Sequence, residues 1–351
     1  MQRAFWEGRH VLLTGHTGFK GAWMNALLDE LGAQVSGLSL PADQEPALSE
    51  LIARRYPIAG HMADLSHAPA VAAVVEATKP QIVIHMAAQA QVRRSYNDPV
   101  RTYASNVMGT LHLLEALRRT TSLEAVLVVT SDKVYLNAEH GRPFAESDPL
   151  GGSDPYSASK AACEVLVRSH AESFFAALRV PLATARAGNV IGGGDWSVDR
   201  LVPDIYRAAI GREAVRLRYP DARRPWQHVL DCCSGYLLYV EHLARQREAD
   251  PPSLNFGPRH NSTSSVAELA SAMIEALGGE PWARSAEPRM PEKQTLSLNS
   301  SLAEATLGWS PRLDLEATIA WTAEWYHNFR RGEAAADLVA RQITRYREMA
   351  P

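Results

Sequence analysis

The chain has 351 residues, of which 46% are hydrophobic and 21% charged, and a formal net charge of -3, enough apolar content to bury a substantial core in one large or two modest domains. The near-neutral charge, with short dispersed basic pairs such as Arg54-Arg55 and Arg93-Arg94, argues against nucleic acid or an anionic membrane as a partner. No apolar run approaches the roughly 20 residues of a bilayer span and the first residues lack a leader pattern, so a cytoplasmic protein is expected.

Apolar β-type runs recur at 11–14, 34–40, 82–86, 125–130 and 180–187, separated by amphipathic stretches, the longest at 100–119 and 156–178. Continuous Val/Ile/Leu strands alternating with helices predict an α/β fold of Rossmann type: a doubly wound parallel sheet covered on both faces. After Gly188 the alternation weakens, and Pro/Gly/Asp-rich segments at 192–203, 219–225, 251–258 and 287–292 interrupt short elements. This predicts a cofactor domain over 1–187, with returning segments near 225–257. A smaller interleaved C-terminal α/β substrate domain is expected over 188–224 and 258–351, with the tail from 331 helical and packed on the body.

The first run leads into Gly15-His16-Thr17-Gly18-Phe19-Lys20-Gly21, with a helix expected from about Ala22. A glycine loop between strand and helix is a dinucleotide site: Gly15 suits the tight turn, Gly18 the close approach of a pyrophosphate, and Gly21 close helix packing. The acid expected at the end of the second strand to hold a ribose is missing, since that strand ends Ser39-Leu40-Pro41 and no carboxylate follows until Asp43. No Arg stands there for a 2'-phosphate, so NAD is favoured over NADP. Asp64-Leu65 is either an adenine-side contact or the N-cap of a helix over 66–77.

The fourth run ends in Thr130-Ser131-Asp132-Lys133, and the second long helix opens with Tyr156 and Lys160, four residues apart and therefore on one face. An ammonium beside a phenol favours the phenolate and so makes a usable base. Only five of the 36 Lys+Arg are lysines, and Lys20, Lys133 and Lys160 all fall in these motifs, which points to a need for a compact, titratable amine. Three cysteines, Cys163, Cys232 and Cys233, have neither disulfide nor zinc-ligand spacing, and no metal is expected.

With the glycine loop, Asn106 within the first long helix and Tyr156/Lys160 in this order, the chain resembles the extended short-chain dehydrogenase/reductase family. Longer runs narrow the resemblance to nucleotide-sugar 4,6-dehydratases of the CDP-glucose type: Gly15 to Gly21, Ala87-Ala88-Gln89, Val92 to Tyr96, Thr130 to Lys133, Gly151-Gly152, Asp154 to Tyr156, Arg186 to Trp196, Asp199-Arg200-Leu201, Pro203-Asp204 and Arg224 to Val229. Gln342-Ile343 and Tyr346 extend it to the tail. Departures fall at Ala90-Gln91, at Val134, and in a short 136–146 segment, and these bear on which hexose is accepted.

The resemblance implies an NAD-dependent hydro-lyase that oxidises C4 of a nucleotide hexose, eliminates water across C5 and C6, and returns hydride to C6. Tyr156 takes the C4 hydroxyl proton, Lys160 stabilises the phenolate, and Ser131 hydrogen-bonds the C4 oxygen. Asp132 is expected as acid to the C6 oxygen and Lys133 as C5 base or proton relay. Ala87, Ala88 and Gln89 join the glycine loop, including His16, Thr17 and Phe19, around NAD. Asn189, Arg200, Leu201 and Arg224 are expected on the substrate nucleotide and diphosphate, where Arg forks match phosphate oxygens. Asn106 either supports the site through a polar contact or is plain helix surface, and Trp196 and Trp226 are expected in the core. The two long helices are expected to pair across a two-fold axis in a homodimer. A nucleotide-sugar 4-epimerase would use Tyr156, Lys160 and NAD without Asp132-Lys133, and stands with a dehydratase of another nucleotide hexose as the alternative.

Overall fold

The structure, a computed structural model, describes residues 1–259, 262–286 and 293–349. The 287–292 segment read as an interruption is therefore outside the described residues. Seven strands, β1 (His10–Thr14), β2 (Gln34–Ser39), β3 (Ala59–Met62), β4 (Ile82–His85), β5 (Ala125–Val129), β6 (Leu182–Ala187) and β7 (Ser253–Phe256), form one sheet in the order β7-β6-β5-β4-β1-β2-β3. Every pairing in it is parallel, with Val11 of β1 opposite Val35 of β2 on one side and Ile82 of β4 on the other. The order reverses between β1 and β4, which opens a crevice beyond the carboxyl ends of those strands.

Central strands carry buried side chains on both faces, so their apolar runs are unbroken: β4, β5 and β6 are buried at every residue. Successive residues feed opposite cores. Val11 and Leu13 pack with Trp23, Leu27, Tyr236 and Trp325 on one side, and Leu12 packs with Val71, Leu113, Leu117 and Phe175 on the other. Strand ends shift by one or two residues from the sequence expectation, and at two of them the reason is a proline. Pro41 and Pro181, lacking an N–H, stop β2 at Ser39 and delay β6 to Leu182. At the sheet edge, β3 is largely exposed, and its short Ala-Gly-His-Met run carries little β signal.

Helix α1 (Phe19–Glu30) follows the glycine loop, and α2 (Ala68–Thr78) connects β3 to β4. The first long helix, α3 (99–117), is interrupted by a π-helical turn at Ala104–Met108, and the second, α4 (Pro155–His170), continues through another at Ala171–Phe175. Such turns admit one extra residue and are frequent at functional sites. Helices α2, α3 and α4 share one core, and α1 shares the other with α5 (Leu201–Gly211), α6 (Val229–Gln246), α7 (Val266–Leu277), α8 (Leu315–Arg330) and α9 (Ala335–Glu348). The tail is tied down through Tyr346, whose hydroxyl donates to the buried Asp231 at 2.8 Å, and through an Arg55–Asp337 pair at 3.0 Å. Among the described residues no helix is long and apolar enough to cross a membrane.

Candidate active site

The crevice at the β1/β4 reversal is a cleft of about 610 Å³, lined by the glycine loop, the ends of β2 and β4, and Ser131, Tyr156 and Lys160. Gly15 has φ +78°, and a Cβ there would lie 2.7 Å from the Ala87 nitrogen. At Gly21 a Cβ would lie 2.0 Å from the Gly15 carbonyl oxygen, so loop and helix can meet only without a side chain. Gly18 faces the cleft as N-cap of α1 and supplies no side-chain acceptor. The leading N–H groups of the helix, which have no intrahelical partner, thus remain available to an anion. Together these features fit the pyrophosphate of a dinucleotide.

Thr17, Phe19, Lys20, Asp64, Leu65, Ala87, Ala88 and Gln89 also line this cleft. His16 does not share that placement. Its buried imidazole packs over β2 and β3, where a Cβ on Gly37 would lie 2.4 Å from its Nδ1 and one on Gly60 3.2 Å from its Nε2. Burial, assisted by the charge of His61, pushes its pKa down to about 4, so His16 is neutral at ordinary pH. Asp64 lines the cleft and accepts from the Ser66 N–H at 2.8 Å, forming a turn before α2, whose N-cap is His67. At the end of β2, Ser39 and Asp43 line the cleft, and Asp43 pairs with Arg94 at 3.3 Å. Arg94, Arg101 and Asp195 also line the cleft; Arg101 lies outside every motif run, and Arg94 and Asp195 fall within the Val92–Tyr96 and Arg186–Trp196 runs without a role that the residue pattern alone assigns.

Asn106, in the π-helical turn of α3, is 1% exposed and joins the two halves of the site. Its Oδ1 accepts from the Gln89 N–H at 2.8 Å, and its Nδ2 donates to the Gln89 carbonyl at 3.1 Å and to Ser159 Oγ at 2.9 Å. Asn106 thereby holds the Ala87-Ala88-Gln89 loop against α4, which carries Tyr156 and Lys160. Thr14 at the end of β1 accepts from the Met86 and Ala87 N–H groups at 3.1 Å each and fixes the other side of that loop.

Asp154 caps α4 by accepting from the Ser157 N–H at 2.9 Å, and Pro155 occupies the first helical position, so Tyr156 and Lys160 start the helix at the cleft floor. The Lys160 ammonium donates to the Val129 carbonyl at the end of β5, at 3.0 Å. Burial raises the Tyr156 pKa, and the largest opposing effects are a hydrogen bond with Ser131 and the charge of Arg200. Burial likewise lowers the Lys160 pKa. Lys160 anchors the strand end while Ser131 and Arg200 favour the phenolate.

Ser131 caps the 3-10 turn Asp132–Val134: its hydroxyl accepts from the Lys133 N–H at 3.2 Å and donates to Asp132 Oδ1 at 3.1 Å. Asp132 is 2% exposed, and its Oδ2 has no hydrogen-bond partner among the described residues. That oxygen lies toward Gly188, a cleft residue whose Cβ, if present, would be 3.1 Å away. Burial pushes the carboxyl above its ordinary range, with Lys133 and Ser131 pulling it down. A carboxyl so held can carry and release a proton. Lys133 does not line the cleft but a separate pocket of about 130 Å³ with Arg224 and with Leu136 and Asn137, the first residues of the 136–146 segment.

The other predicted residues converge elsewhere. Asn189, Arg200, Leu201 and Arg224 all line a second pocket of about 190 Å³ with Arg216, Arg218, Tyr219 and Trp226. Arg200 lines both this pocket and the large cleft, and so connects them. Arg224 donates to the Lys293 carbonyl at 2.8 Å and the Gln294 carbonyl at 3.1 Å, which ties the 293–294 segment to this wall of the pocket. Trp196 packs among Trp325, Tyr326 and Phe329, whereas Trp226, though 7% exposed, contributes a wall.

Comparison with known proteins agrees with this geometry. Residues 11–257 match the model of the NAD dependent epimerase/dehydratase family. The chain is 39% identical to a CDP-glucose 4,6-dehydratase of Salmonella typhimurium over 99% of this chain and 98% of that one. It is 30% identical to a dTDP-glucose 4,6-dehydratase of Streptomyces griseus over 92% of this chain and 95% of that one. Among solved structures it is similar to a UDP-glucose 4-epimerase from Stenotrophomonas maltophila with bound NAD and formylated UDP-arabinopyranose, with TM-score 0.79 and 26% identity over 93% of this chain and 100% of that one. In sequence over its whole length, and in fold, the chain belongs to the NAD dependent epimerase/dehydratase family.

Proposed function

We propose that the protein is an NAD-dependent nucleotide-sugar 4,6-dehydratase that converts CDP-glucose to CDP-4-keto-6-deoxyglucose. The observation that carries this reading is the buried Asp132, directly behind the cleft residue Ser131 and next to Lys133, an acid that inversion at C4 does not require. The full-length similarity to a CDP-glucose 4,6-dehydratase supports the choice of nucleotide. In this reading 1–187 and 225–257 hold the cofactor, and 188–224 and 258–351 build the nucleotide side.

NAD, which the Gly15–Gly21 loop with Ala87, Ala88 and Gln89 would hold, would supply reversible hydride acceptance at C4 and C6 of the hexose. Tyr156 removes the C4 hydroxyl proton, and Ser131 holds the C4 oxygen in line. Oxidation at C4 makes the C5 proton acidic. Lys133 removes or relays that proton, while the Asp132 carboxyl protonates the departing C6 hydroxyl, so water leaves an enone; once C6 has regained the hydride and C5 a proton by way of Lys133, no net redox change remains. Arg200, bridging cleft and second pocket, is placed to hold the diphosphate, with Asn189, Leu201 and Arg224 toward the nucleotide.

Incubation with CDP-, UDP- and dTDP-glucose in deuterated water tests both parts. The expected result is a 4-keto-6-deoxy sugar carrying deuterium at C5, formed fastest from CDP-glucose. A product inverted at C4 with its C6 hydroxyl intact would contradict the dehydratase reading, and faster turnover of another nucleotide would contradict the substrate.

We further propose a homodimer paired through α3 and α4. Val100 is 79% exposed, Tyr103 40% and Met108 43% on the first, and Val165 54% on the second, an apolar face suited to a second copy of itself. A monomeric mass by light scattering would refute this.

A further inference from the structure

The catalytic turn is short, and both of its ends are tied to one buried ion pair outside the predicted site. Glu164 lies one helical turn beyond Lys160 on α4, and its carboxylate meets Arg186 of β6 at 2.7 Å, with the two side chains 3% and 5% exposed. Glu164 Oε1 accepts from Thr130, the residue immediately before Ser131, and Oε2 accepts from Thr184 at 2.8 Å. Arg186 Nη1 donates to the hydroxyl of Tyr135, two residues after Lys133, at 2.9 Å. That hydroxyl donates to Asn255 of β7 at 2.6 Å. Between Thr130 and Tyr135 stand Ser131, Asp132 and Lys133.

Resting on the dehydratase reading above, we propose that the Glu164–Arg186 pair is a positioning clamp for the elimination step, holding Asp132 and Lys133 against the hexose C5–C6 bond through Thr130 and Tyr135. A 3-10 turn of three residues has no internal ladder to fix its direction, so its aim depends on its two ends. Charged partners make the strong hydrogen bonds here, and a low-dielectric surround strengthens them. Because Lys160 and Glu164 share α4, the same helix sets both the oxidation and the elimination groups. Arg186 is thereby a positioning residue, and it touches neither substrate nor cofactor in this scheme.

Removing Glu164 would leave a buried guanidinium unpaired and endanger folding, so the test removes single hydroxyls instead. Thr130→Val and Tyr135→Phe are each expected to lower kcat about tenfold to a hundredfold, with KM and NAD affinity changed less than about twofold. Borodeuteride quenching should trap more 4-keto sugar that still carries its C6 hydroxyl, since oxidation continues while elimination lags. Thr130→Ser, which keeps the hydroxyl, should restore the wild-type partition. Variants with a lower thermal midpoint but wild-type kcat and partition would overturn the clamp while leaving the dehydratase reading intact. A wild-type protein that only inverts C4 would overturn that reading and the clamp with it.

Discussion

Tyr156→Phe is expected to lower kcat by about a thousandfold while leaving NAD affinity close to wild type, because it deletes a general base without changing the ring that fills the site. The phenol is 8% exposed, and burial raises its pKa, so without help it would stay protonated near neutral pH. Ser131 and Arg200 oppose that burial. The base form therefore grows as pH rises, and kcat/KM of the wild type should climb with pH on its acid side. In Tyr156→Phe that dependence should disappear with the activity, as read from pH profiles beside cofactor titration. Loss of NAD binding in the variant would instead make Tyr156 a cofactor contact.

Lys133→Met is expected to retain cofactor binding and to lose exchange of the C5 hydrogen with solvent deuterium, with kcat down by about a hundredfold or more. The side chain is similar in length, so the turn it belongs to can persist. Lys133 borders the smaller pocket, while Asp132 is buried behind Ser131 with its Oδ2 toward Gly188, so the two side chains diverge from the turn. That separation favours dividing the elimination between them. Burial holds Asp132 toward its protonated form, as an acid to the C6 oxygen requires, and Lys133 is then the group left to take the C5 proton. Exchange retained in Lys133→Met would contradict the base assignment and would move that role to another group.

Much of this site is legible in the sequence because its residues serve local backbone geometry as well as chemistry. Gly15 and Gly21 are glycines for reasons of φ and contact distance, and Tyr156/Lys160 needs only helical spacing to share a face. Strands β1, β4, β5 and β6 announced themselves as apolar runs because both their faces are covered. What escaped is long-range or irregular. The π-helical turn that aims Asn106 has no composition signal, β7 is four residues long with Ser and Asn, and Glu164 and Arg186 are 22 residues apart in sequence. Helical spacing also does not carry the burial of the pair: the helix that brings Tyr156 and Lys160 together buries both, which raises the phenol pKa and lowers that of the ammonium. His16 sits inside a legible motif, yet its side chain fills the space above Gly37 and Gly60, a contact between elements that no local pattern encodes.

The claim at the centre is that hydride leaves C4 and returns at C6 of one hexose within a single active site. CDP-glucose bearing deuterium at C4 tests it most directly. The account predicts a 4-keto-6-deoxy product with that deuterium in its C6 methyl group, transferred within the same molecule when labelled and unlabelled substrates are mixed. Deuterium found still at C4, on a sugar inverted there and retaining its C6 hydroxyl, would contradict it.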